Sequence, residues 1–279
     1  MIEILTDLSD ASLTKAITEN CYALTPFSHG WKGAEIYNGK DVKWVVTDLP
    51  FPPVNAAFHT NLKPENVDNK IEEFQNLGRK KKVPIQWFIC PDTRPANLTE
   101  RLTAHGFTTH GGGAGMAIDL IAMNESEPLP AGLEIVEVKD NKTLKAWCHV
   151  VCVGFSVPPH AEPTIMKVVK TDIKYKQPEK YYLGILDCKP VATSMYFLGE
   201  GVCGIYFVAT IPEARNKGIG FAVTQAALKD GRKLGYRVGI LQASKMGEPV
   251  YRRMGFKEYC RVSSYEWFPE GLEQPKKES

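Results

Sequence analysis

The sequence predicts an α/β (α+β) fold made of two tandem domains. Patterns typical of strands and helices alternate along the whole chain, which favours sheets covered by helices. A proline-containing, acidic run at residues 122–132 is typical of a linker. A Gly-Phe pair follows a strand and a helix in each half, at Gly106 and again at Gly255, which indicates an internal repeat. We therefore expect a first domain over residues 1–123, a linker over 124–132, a second domain over 133–269 and a polar tail over 270–279.

In the first half, apolar spacing predicts three helices and a small set of strands. Asn38-Gly39 favours a tight hairpin turn, and Pro64 suits the first turn of a helix. The helices are expected at residues 12–27, 64–77 and 96–104, a hairpin at 35–47, and further strands at 83–90 and 116–123. The basic run at 79–82 is interpreted as a solvated helix end, and the glycines at 111–115 as a flexible hairpin connection.

The second half repeats this alternation of strands and helices. A loop containing Pro158, Pro159 and Pro163 separates its first two helices. The strands are expected at residues 133–139, 181–187, 191–198, 205–210 and 238–243 and within 256–267, and the helices at 144–155, 164–174 and 221–234.

Composition and charge exclude several classes of protein. With 43% apolar and 24% charged residues, the chain is an ordinary globular protein. With a net charge of +2, the chain is much less basic than many nucleic-acid-binding proteins, so we expect no nucleic-acid partner. The first seven residues carry acids where a signal peptide carries lysines, and apolar runs are shorter than the roughly 18 residues of a membrane span. We therefore expect a cytoplasmic protein without a membrane partner.

The seven cysteines are odd in number and scattered, which favours reduced, buried thiols over a disulfide framework. Cys148, His149 and Cys152 come nearest to a metal cluster. They lie on a predicted helix without a second pair of ligands, so we interpret them as core residues and expect no metal.

A strand, a glycine-containing loop and a helix follow one another at residues 205–234. Pro212 ends the strand because it has no N–H for the ladder. The loop Arg215-Asn216-Lys217-Gly218-Ile219-Gly220 then leads into the helix, whose first N–H groups and dipole favour an anion. The glycines let a diphosphate approach the backbone, and Arg215 and Lys217 add positive charge. The pattern is R-x-x-G-x-G, which is neither a P-loop nor a dinucleotide-binding fingerprint.

Together with Tyr251-Arg252-Arg253-Met254-Gly255-Phe256, this loop resembles the GCN5-related N-acetyltransferases (GNAT), whose motifs are R-x-x-G-x-G and Y-x-x-x-G-F. The resemblance implies two GNAT-like domains, each a mixed, mostly antiparallel sheet flanked by helices. The first is a degenerate copy. Residues 61–66 hold the place of its pyrophosphate loop without a glycine, and Leu102 stands where the second half has Tyr251.

The resemblance also implies a site for acetyl-CoA as cosubstrate, with Tyr251 protonating the departing thiolate. Ser244 stands where the family usually has asparagine. A splayed strand at residues 238–243 would open the slot for the thioester. The implied cosubstrate-binding residues are Phe207, Val208 and Ala209 for the pantetheine arm, Arg215, Asn216, Lys217, Gly218, Ile219 and Gly220 for the pyrophosphate, and Ser244.

The general base is left open by the sequence. The family often places a glutamate on the strand before the loop, and Gly204 holds that position here. Glu200, expected in the preceding turn, a water relay through backbone carbonyls, and Tyr206 are the alternatives. Cys203 would allow a covalent route, but a buried cysteine is the favoured interpretation.

The leading hypothesis is an acetyl-CoA-dependent N-acetyltransferase that acts by direct attack of a primary amine. The acceptor is open: a small amine, an antibiotic, an amino acid or a protein terminus all fit, and the protein is expected to be a monomer or a homodimer. The rival hypothesis is a CoA-binding sensor or scaffold without acetyl transfer. A third is an acyltransferase that uses a longer acyl-CoA.

Overall fold

The computed structural model describes residues 3–24, 33–157, 162–174 and 178–272. Its helices and strands up to the linker are α1 (Asp10–Ala23), β1 (Glu35–Asn38), β2 (Lys43–Val46), β3 (Ala56–Phe58), α2 (Val67–Lys81), β4 (Ile85–Ile89), α3 (Leu98–Ala104) and β5 (Thr108–Asp119). After the linker come β6 (Leu133–Glu137), α4 (Asn141–Gly154), α5 (Glu162–Lys174), β7 (Glu179–Leu186), β8 (Lys189–Gly199), β9 (Val202–Thr210), α6 (Ile219–Lys233), β10 (Val238–Ala243), α7 (Glu248–Met254) and β11 (Lys257–Trp267). Short 3₁₀ helices lie at Pro52–Val54, Pro64–Asn66 and Pro212–Ala214.

The chain forms two compact units, and neither is one continuous segment. Unit 1 comprises Met1–Leu24 and Ala114–Tyr259, and unit 2 comprises Thr25–Gly113 and Cys260–Ser279. The boundaries therefore fall inside β5 and inside β11. This division by contacts differs from the predicted division along the chain into 1–123 and 133–269, because α1 and the end of β5 pack with the second half.

Unit 1 is built on a sheet with the strand order β5–β10–β9–β8–β7–β6. All of its neighbouring pairs are antiparallel except β9 and β10, which are parallel. Helix α6 packs on one face, where a Cβ atom added at Gly231 would lie 2.5 Å from Cys203 Sγ. Helices α1 and α4 pack on the other face, where the Gly204 backbone meets the side chain of Asn20. Successive residues of β9 thus alternate between the two helical layers.

The predicted linker has no regular secondary structure, but its acidic side chains are paired with unit 1. Glu125 forms ion pairs with Lys229 and Arg232 of α6, and Glu127 pairs with Arg253 of α7 at 3.1 Å. The linker therefore lies along two helices of that unit.

Unit 2 contains the sheet β1–β2–β3–β4–β11–β5, with α2 and α3 beside it. Its core includes Phe74, Trp87 and Leu102, each fully buried, and the Phe74 and Trp87 rings meet edge to face at 5.6 Å. Asn55 is also fully buried, and its amide accepts a hydrogen bond from Thr47 N at 2.7 Å and donates one to Leu49 O at 2.8 Å.

Most predicted elements are present, with ends shifted by a few residues. The hairpin at Asn38-Gly39 is confirmed, and β10 has the predicted bounds. Residues 25–27 of the first predicted helix, together with Pro158 and Pro159, lie outside the described residues. The short strand β3 was not predicted, because three residues are too few to show an alternating pattern.

One prediction about a loop was wrong. The glycines at residues 111–115 belong to β5, which runs for 12 residues. In unit 1, Gly115 pairs with Gln242 and Ala114 with Ala243 of β10. In unit 2, a Cβ atom at Gly112 would lie 3.4 Å from the Cβ atom of Ser263 in β11, which is an ordinary van der Waals contact. The helices described here include none that combines the length and apolar character needed to cross a bilayer.

Candidate active site

The candidate site begins where β9 and β10 part. Their parallel pairing is confined to Cys203 with Gly239 and Gly204 with Ile240. On its other side, β9 carries a bulge: Thr193 pairs with Ala209 but Met195 pairs with Tyr206, so β9 has one extra residue there. Phe207 marks the bulge with a φ of +49°. Since a bulge bends its strand, the predicted opening beside residues 238–243 is present.

A cavity of about 480 Å³ lies on this opening, within the usual size range of small-molecule sites. It is lined from β9, the following loop, the start of α6 and the segment that carries α7. The lining residues are Gly154, Phe155, Val208, Ala209, Thr210, Ala214, Arg215, Asn216, Gly218, Ile219, Gly220, Phe221, Ser244, Met246, Gly247, Val250, Tyr251 and Arg253.

The loop before α6 and the first residues of that helix line this cavity. Asn216 and Gly218 both have left-handed backbones, with φ of +61° and +75°, and α6 begins directly afterwards at Ile219. Gly218 is the N-cap and offers no side chain to the first N–H groups of the helix. A Cβ atom at Gly220 would have its nearest neighbour at 3.6 Å, so there is room above the backbone. Such a turn followed by a helix start is suited to an anion.

The charged residues of the loop divide into two groups. Arg215 lines the cavity while its Nε donates to Thr210 O and its Nη2 to Gly154 O, both at 3.2 Å. It therefore braces the end of β9 against α4 and adds positive charge to the wall. Lys217 is not among the lining residues. Phe207 also lies outside the lining, and its ring packs against Trp147 at 5.6 Å.

Sequence reasoning missed Arg253 as a lining residue. Its guanidinium lies 5.5 Å from the centroid of the Phe221 ring, at the rim of the cavity. The sequence could have indicated Arg253 as a lining residue, because Arg253 lies inside the Y-x-x-x-G-F motif, two positions after Tyr251. Phe155, Met246 and Val250 were also missed, and they make part of the wall apolar.

Tyr251 lies in α7 and is 8% exposed. Burial raises the pKa of its phenol, and a hydrogen bond with Thr224 only partly offsets this effect, so the hydroxyl keeps its proton at neutral pH. The ring meets Phe256 edge to face at 5.9 Å. A Cβ atom at Gly247 would lie 2.9 Å from the Tyr251 ring, so the glycine makes room for it.

Ser244 lines the cavity and also organises the start of α7. Its hydroxyl accepts a hydrogen bond from Gly247 N at 3.2 Å, and its carbonyl accepts one from Glu248 N at 2.9 Å. The serine thus holds the turn that places the helix of Tyr251.

The family that this sequence resembles often has a glutamate at the position of Gly204. Here the side chain of Asn20 occupies the space that a side chain at Gly204 would need. A Cβ atom at Gly204 would overlap the amide oxygen of Asn20 from α1. Asn20 is fully buried, donates through Nδ2 to Gly199 O at 2.8 Å and accepts from Tyr206 Oη at 2.7 Å. Glu200 lies in the turn between β8 and β9, as expected, and is not a lining residue. A side chain at residue 204 is therefore sterically incompatible with Asn20.

The cysteines singled out from the sequence are packed in the interior. Burial raises the pKa of Cys148 to about 12 and that of Cys152 to about 11, so both thiols stay protonated at neutral pH. Cys203 is fully buried on the α6 side, and burial raises the pKa of its thiol as well. This thiol is unsuited to a covalent route.

Comparison with known proteins finds a sequence family that matches residues 147–256 of the chain. Residues 147–256 match the sequence model of the Acetyltransferase (GNAT) family. They form a GNAT domain. This domain contains the loop before α6, the cavity walls from α4 and α7, and Tyr251.

Solved structures extend the likeness in fold beyond the GNAT domain. A GCN5-related N-acetyltransferase from Kribbella flavida is 15% identical, with a TM-score of 0.66 over 96% of this chain and 98% of that chain. One from Sphaerobacter thermophilus is 16% identical, with a TM-score of 0.62 over 96% of each chain. A tandem GNAT protein from the clavulanic acid biosynthesis pathway is 11% identical, with a TM-score of 0.58 over 94% of this chain and 95% of that one.

Among curated proteins, no sequence matches this chain. The structural likenesses establish a tandem GNAT fold, with a mostly antiparallel sheet flanked by helices. The GNAT domain supports acetyl transfer as the general activity, and the family uses acetyl-CoA for it.

Proposed function

We propose that the GNAT domain transfers the acetyl group of acetyl-CoA to a primary amine of a small molecule or peptide by direct attack. The observation that supports this most is a single cavity that combines the start of α6, the bulged strand β9 and the ring of Tyr251. Each of these parts meets one need of the reaction: anion binding, orientation of the thioester, and proton supply to the leaving group.

In this proposal the pyrophosphate binds at the start of α6. Gly218, Ile219 and Gly220 line the cavity at the positive end of the helix dipole, where the first N–H groups of a helix have no partner within it, and Arg215 adds a full charge. Val208 and Ala209 hold the pantetheine arm along the edge of β9, where no partner strand follows Gly204 in the parallel pairing. The apolar wall from Phe155, Met246 and Val250 covers the methylene groups of that arm.

The transfer requires one bond to form and one to break. The lone pair of the neutral amine forms the C–N bond to the acetyl carbon, and the C–S bond breaks with its electron pair on sulfur. Tyr251 donates its proton to that sulfur, since a buried phenol is protonated at neutral pH. The proton released by the nitrogen passes to water, from which Tyr251 is reprotonated. The products are an N-acetylated amine and a free thiol.

The test is acetyl-CoA-dependent release of thiol with a broad panel of primary amines. Tyr251→Phe is expected to lower kcat by 10²-fold or more while acetyl-CoA still raises the melting temperature. Tyr236→Phe is the control, because Tyr236 is a partly buried tyrosine of the same unit outside the cavity lining. Equal turnover in Tyr251→Phe and wild type would refute the role of Tyr251 as proton donor to the leaving thiolate.

A second candidate function is a CoA-binding sensor. It is favoured by the absence of a carboxylate side chain at Gly204. The carboxylate expected there is replaced by the amide of Asn20, which cannot accept a proton at neutral pH. If acetyl-CoA stabilises the wild-type protein but no amine in the panel gives thiol release, the sensor is the better description. Preferential stabilisation by a longer acyl-CoA would instead indicate an acyltransferase for that chain length.

A further inference from the structure

The α7 wall of the cavity carries an arginine that the proposed pyrophosphate site does not use. Arg253 lines the cavity, and its guanidinium lies 5.5 Å from the centroid of the ring of Phe221, the third residue of α6. Among the residues that the structure describes, the lining contains two arginines, Arg215 and Arg253, and no aspartate or glutamate. A cavity with this charge favours a ligand that carries more negative charge than a single diphosphate.

The guanidinium of Arg253 has hydrogen-bond donors left for a ligand. Its Nε atom lies 3.1 Å from Glu127 Oε1, and within the described part of the chain its two Nη groups donate to no other residue. The preceding residue, Arg252, differs in both respects. Its Nε and Nη2 atoms donate to Glu248 Oε1, its Nη2 atom also donates to Glu258 Oε2, and it does not line the cavity.

The chemistry of Arg253 suits a phosphate group. A guanidinium keeps its charge at any ordinary pH, and its planar fork binds phosphate oxygens through two parallel hydrogen bonds. The contact with the Phe221 ring holds this fork beside the first turn of α6, next to the proposed pyrophosphate site. A phosphomonoester carries a charge of about −1.5 to −2 at neutral pH, which makes it a stronger ligand for such a group than a phosphodiester.

We infer that Arg253 forms a second phosphate subsite, which takes a phosphomonoester at the nucleotide end of the cosubstrate. In CoA the diphosphate is bonded to a ribose, and the 3′ oxygen of that ribose carries such a group. 3′-Dephospho-CoA lacks it, as does the 4′-phosphopantetheine arm of carrier proteins. The subsite therefore selects CoA itself as the acyl carrier. This inference rests on the proposed binding of CoA in the cavity and does not depend on the identity of the amine.

The carboxylate of Glu127 opposes this binding, because it shares the guanidinium of Arg253 with the incoming phosphate. Glu127→Gln removes the negative charge and keeps a side-chain oxygen that accepts from the Arg253 Nε atom. Arg253→Gln removes the positive charge. The two variants should therefore change the affinity for CoA in opposite directions.

The test is calorimetric titration of the full chain with CoA and with 3′-dephospho-CoA. We expect the wild type to bind CoA about tenfold more tightly than 3′-dephospho-CoA, as a charge-assisted hydrogen bond would give. Arg253→Gln should reduce this preference to about threefold or less. Arg252→Gln should keep it, because that variant removes the same charge from a neighbouring side chain outside the lining. Glu127→Gln should strengthen CoA binding about threefold and leave 3′-dephospho-CoA within about twofold.

The ratio of the two affinities cancels any effect of a variant on folding and on the part of the ligand that both compounds share. Equal ratios in Arg253→Gln and Arg252→Gln would overturn the subsite while leaving CoA binding in place. An equal change for both ligands in Glu127→Gln would overturn it as well, without requiring a change in α7. A wild-type protein that binds neither ligand would refute the proposed function together with the subsite. The expected preference without thiol release from any amine would instead refute acetyl transfer and support the subsite.

Discussion

The amide oxygen of Asn20 lies 2.7 Å from the hydroxyl oxygen of Tyr206, although 186 positions of the chain separate the two residues. This hydrogen bond joins a helix from the first two dozen residues to the strand that borders the candidate site. It also explains why residue 204 is a glycine, since the amide of Asn20 occupies the space of a side chain there.

Asn20→Ala is expected to destabilise unit 1 by about 1–3 kcal/mol, because Gly199 O and the Tyr206 hydroxyl lose a buried partner. The midpoint of urea unfolding measures this. Lys15→Ala, an exposed position on the same helix, is the control and should change the free energy of unfolding by less than about 0.5 kcal/mol. Equal unfolding midpoints for the two variants would contradict the structural role of Asn20.

Gly204→Ala is expected to destabilise the protein by about 1–3 kcal/mol, because the added methyl group overlaps Asn20. In the double variant with Asn20→Gly, the overlap with Asn20 is relieved while the contact with the Tyr206 ring at 2.6 Å remains, so the two effects should not add. A double-mutant cycle of unfolding free energies should give a coupling of about 1 kcal/mol or more. Additivity within about 0.3 kcal/mol would show that the two positions do not meet.

Gly218→Asp is expected to weaken CoA binding by tenfold or more, since a carboxylate would stand beside the pyrophosphate at a left-handed position. Gly235→Asp is the matched control: its φ of +94° imposes similar backbone strain away from the cavity lining. Calorimetric titration with CoA measures both affinities. If the two variants bind CoA equally well, the anion site is not at the start of α6.

The buried carboxyl of Glu179 predicts a pH dependence of stability. Burial raises its pKa from 4.5 to about 6, and the hydrogen bond from Tyr181 only partly opposes this. The folded state therefore binds more protons than the unfolded state between these values, and the contribution of Glu179 to stability falls as pH rises from about 4.5 to about 6. The total change is about 2 kcal/mol, at 1.36 kcal/mol per pKa unit.

Glu179→Gln should remove this part of the pH dependence and raise stability at pH 7.5 relative to wild type. Urea unfolding at pH 4.5 and at pH 7.5 measures the difference, and Glu134→Gln at an exposed position of β6 supplies a charge-matched control. A wild-type pH profile that persists in Glu179→Gln would refute the assignment.

Residues 133–269 expressed alone are expected not to fold into a CoA-binding protein. Within unit 1, β10 would lose its antiparallel partner in β5, and β9 and β10 would lose the cover of α1. An open strand edge of this kind favours aggregation. Circular dichroism and thermal stabilisation by CoA, compared with the full chain, provide the measurement. A monomeric, CoA-stabilised fragment would show that the second half folds independently.

The sequence was sufficient for those features that depend on local pattern. The strand before Pro212, the anion loop and the helix after it were all predicted, whereas the lining residues Phe155, Met246, Val250 and Arg253 were not. Local pattern also predicted the hairpin at Asn38-Gly39. The glycines at 111–115 were misassigned, because glycine is rare in strands and the pairing of this segment with β10, a strand distant in sequence, has no local signal.

Features that depend on long-range pairing were not predictable. The placement of α1 over Gly204 depends on a contact between Asn20 and β9, and the buried residues of α1 include the polar Thr18 and Asn20, which a search for apolar spacing does not select. The pairing of Gly115 with Gln242 joins strands from different halves of the sequence.

The discontinuous make-up of unit 1 sets the order of events during synthesis. Asn20 of α1 is translated 186 positions ahead of Tyr206, and β9 and β10, which α1 covers, do not exist at that moment. The intervening segment 25–113, which supplies most of the other unit, is translated in that interval. The side chains of α1 that pack on β9 and β10 therefore have no partner strand until those two strands have been translated.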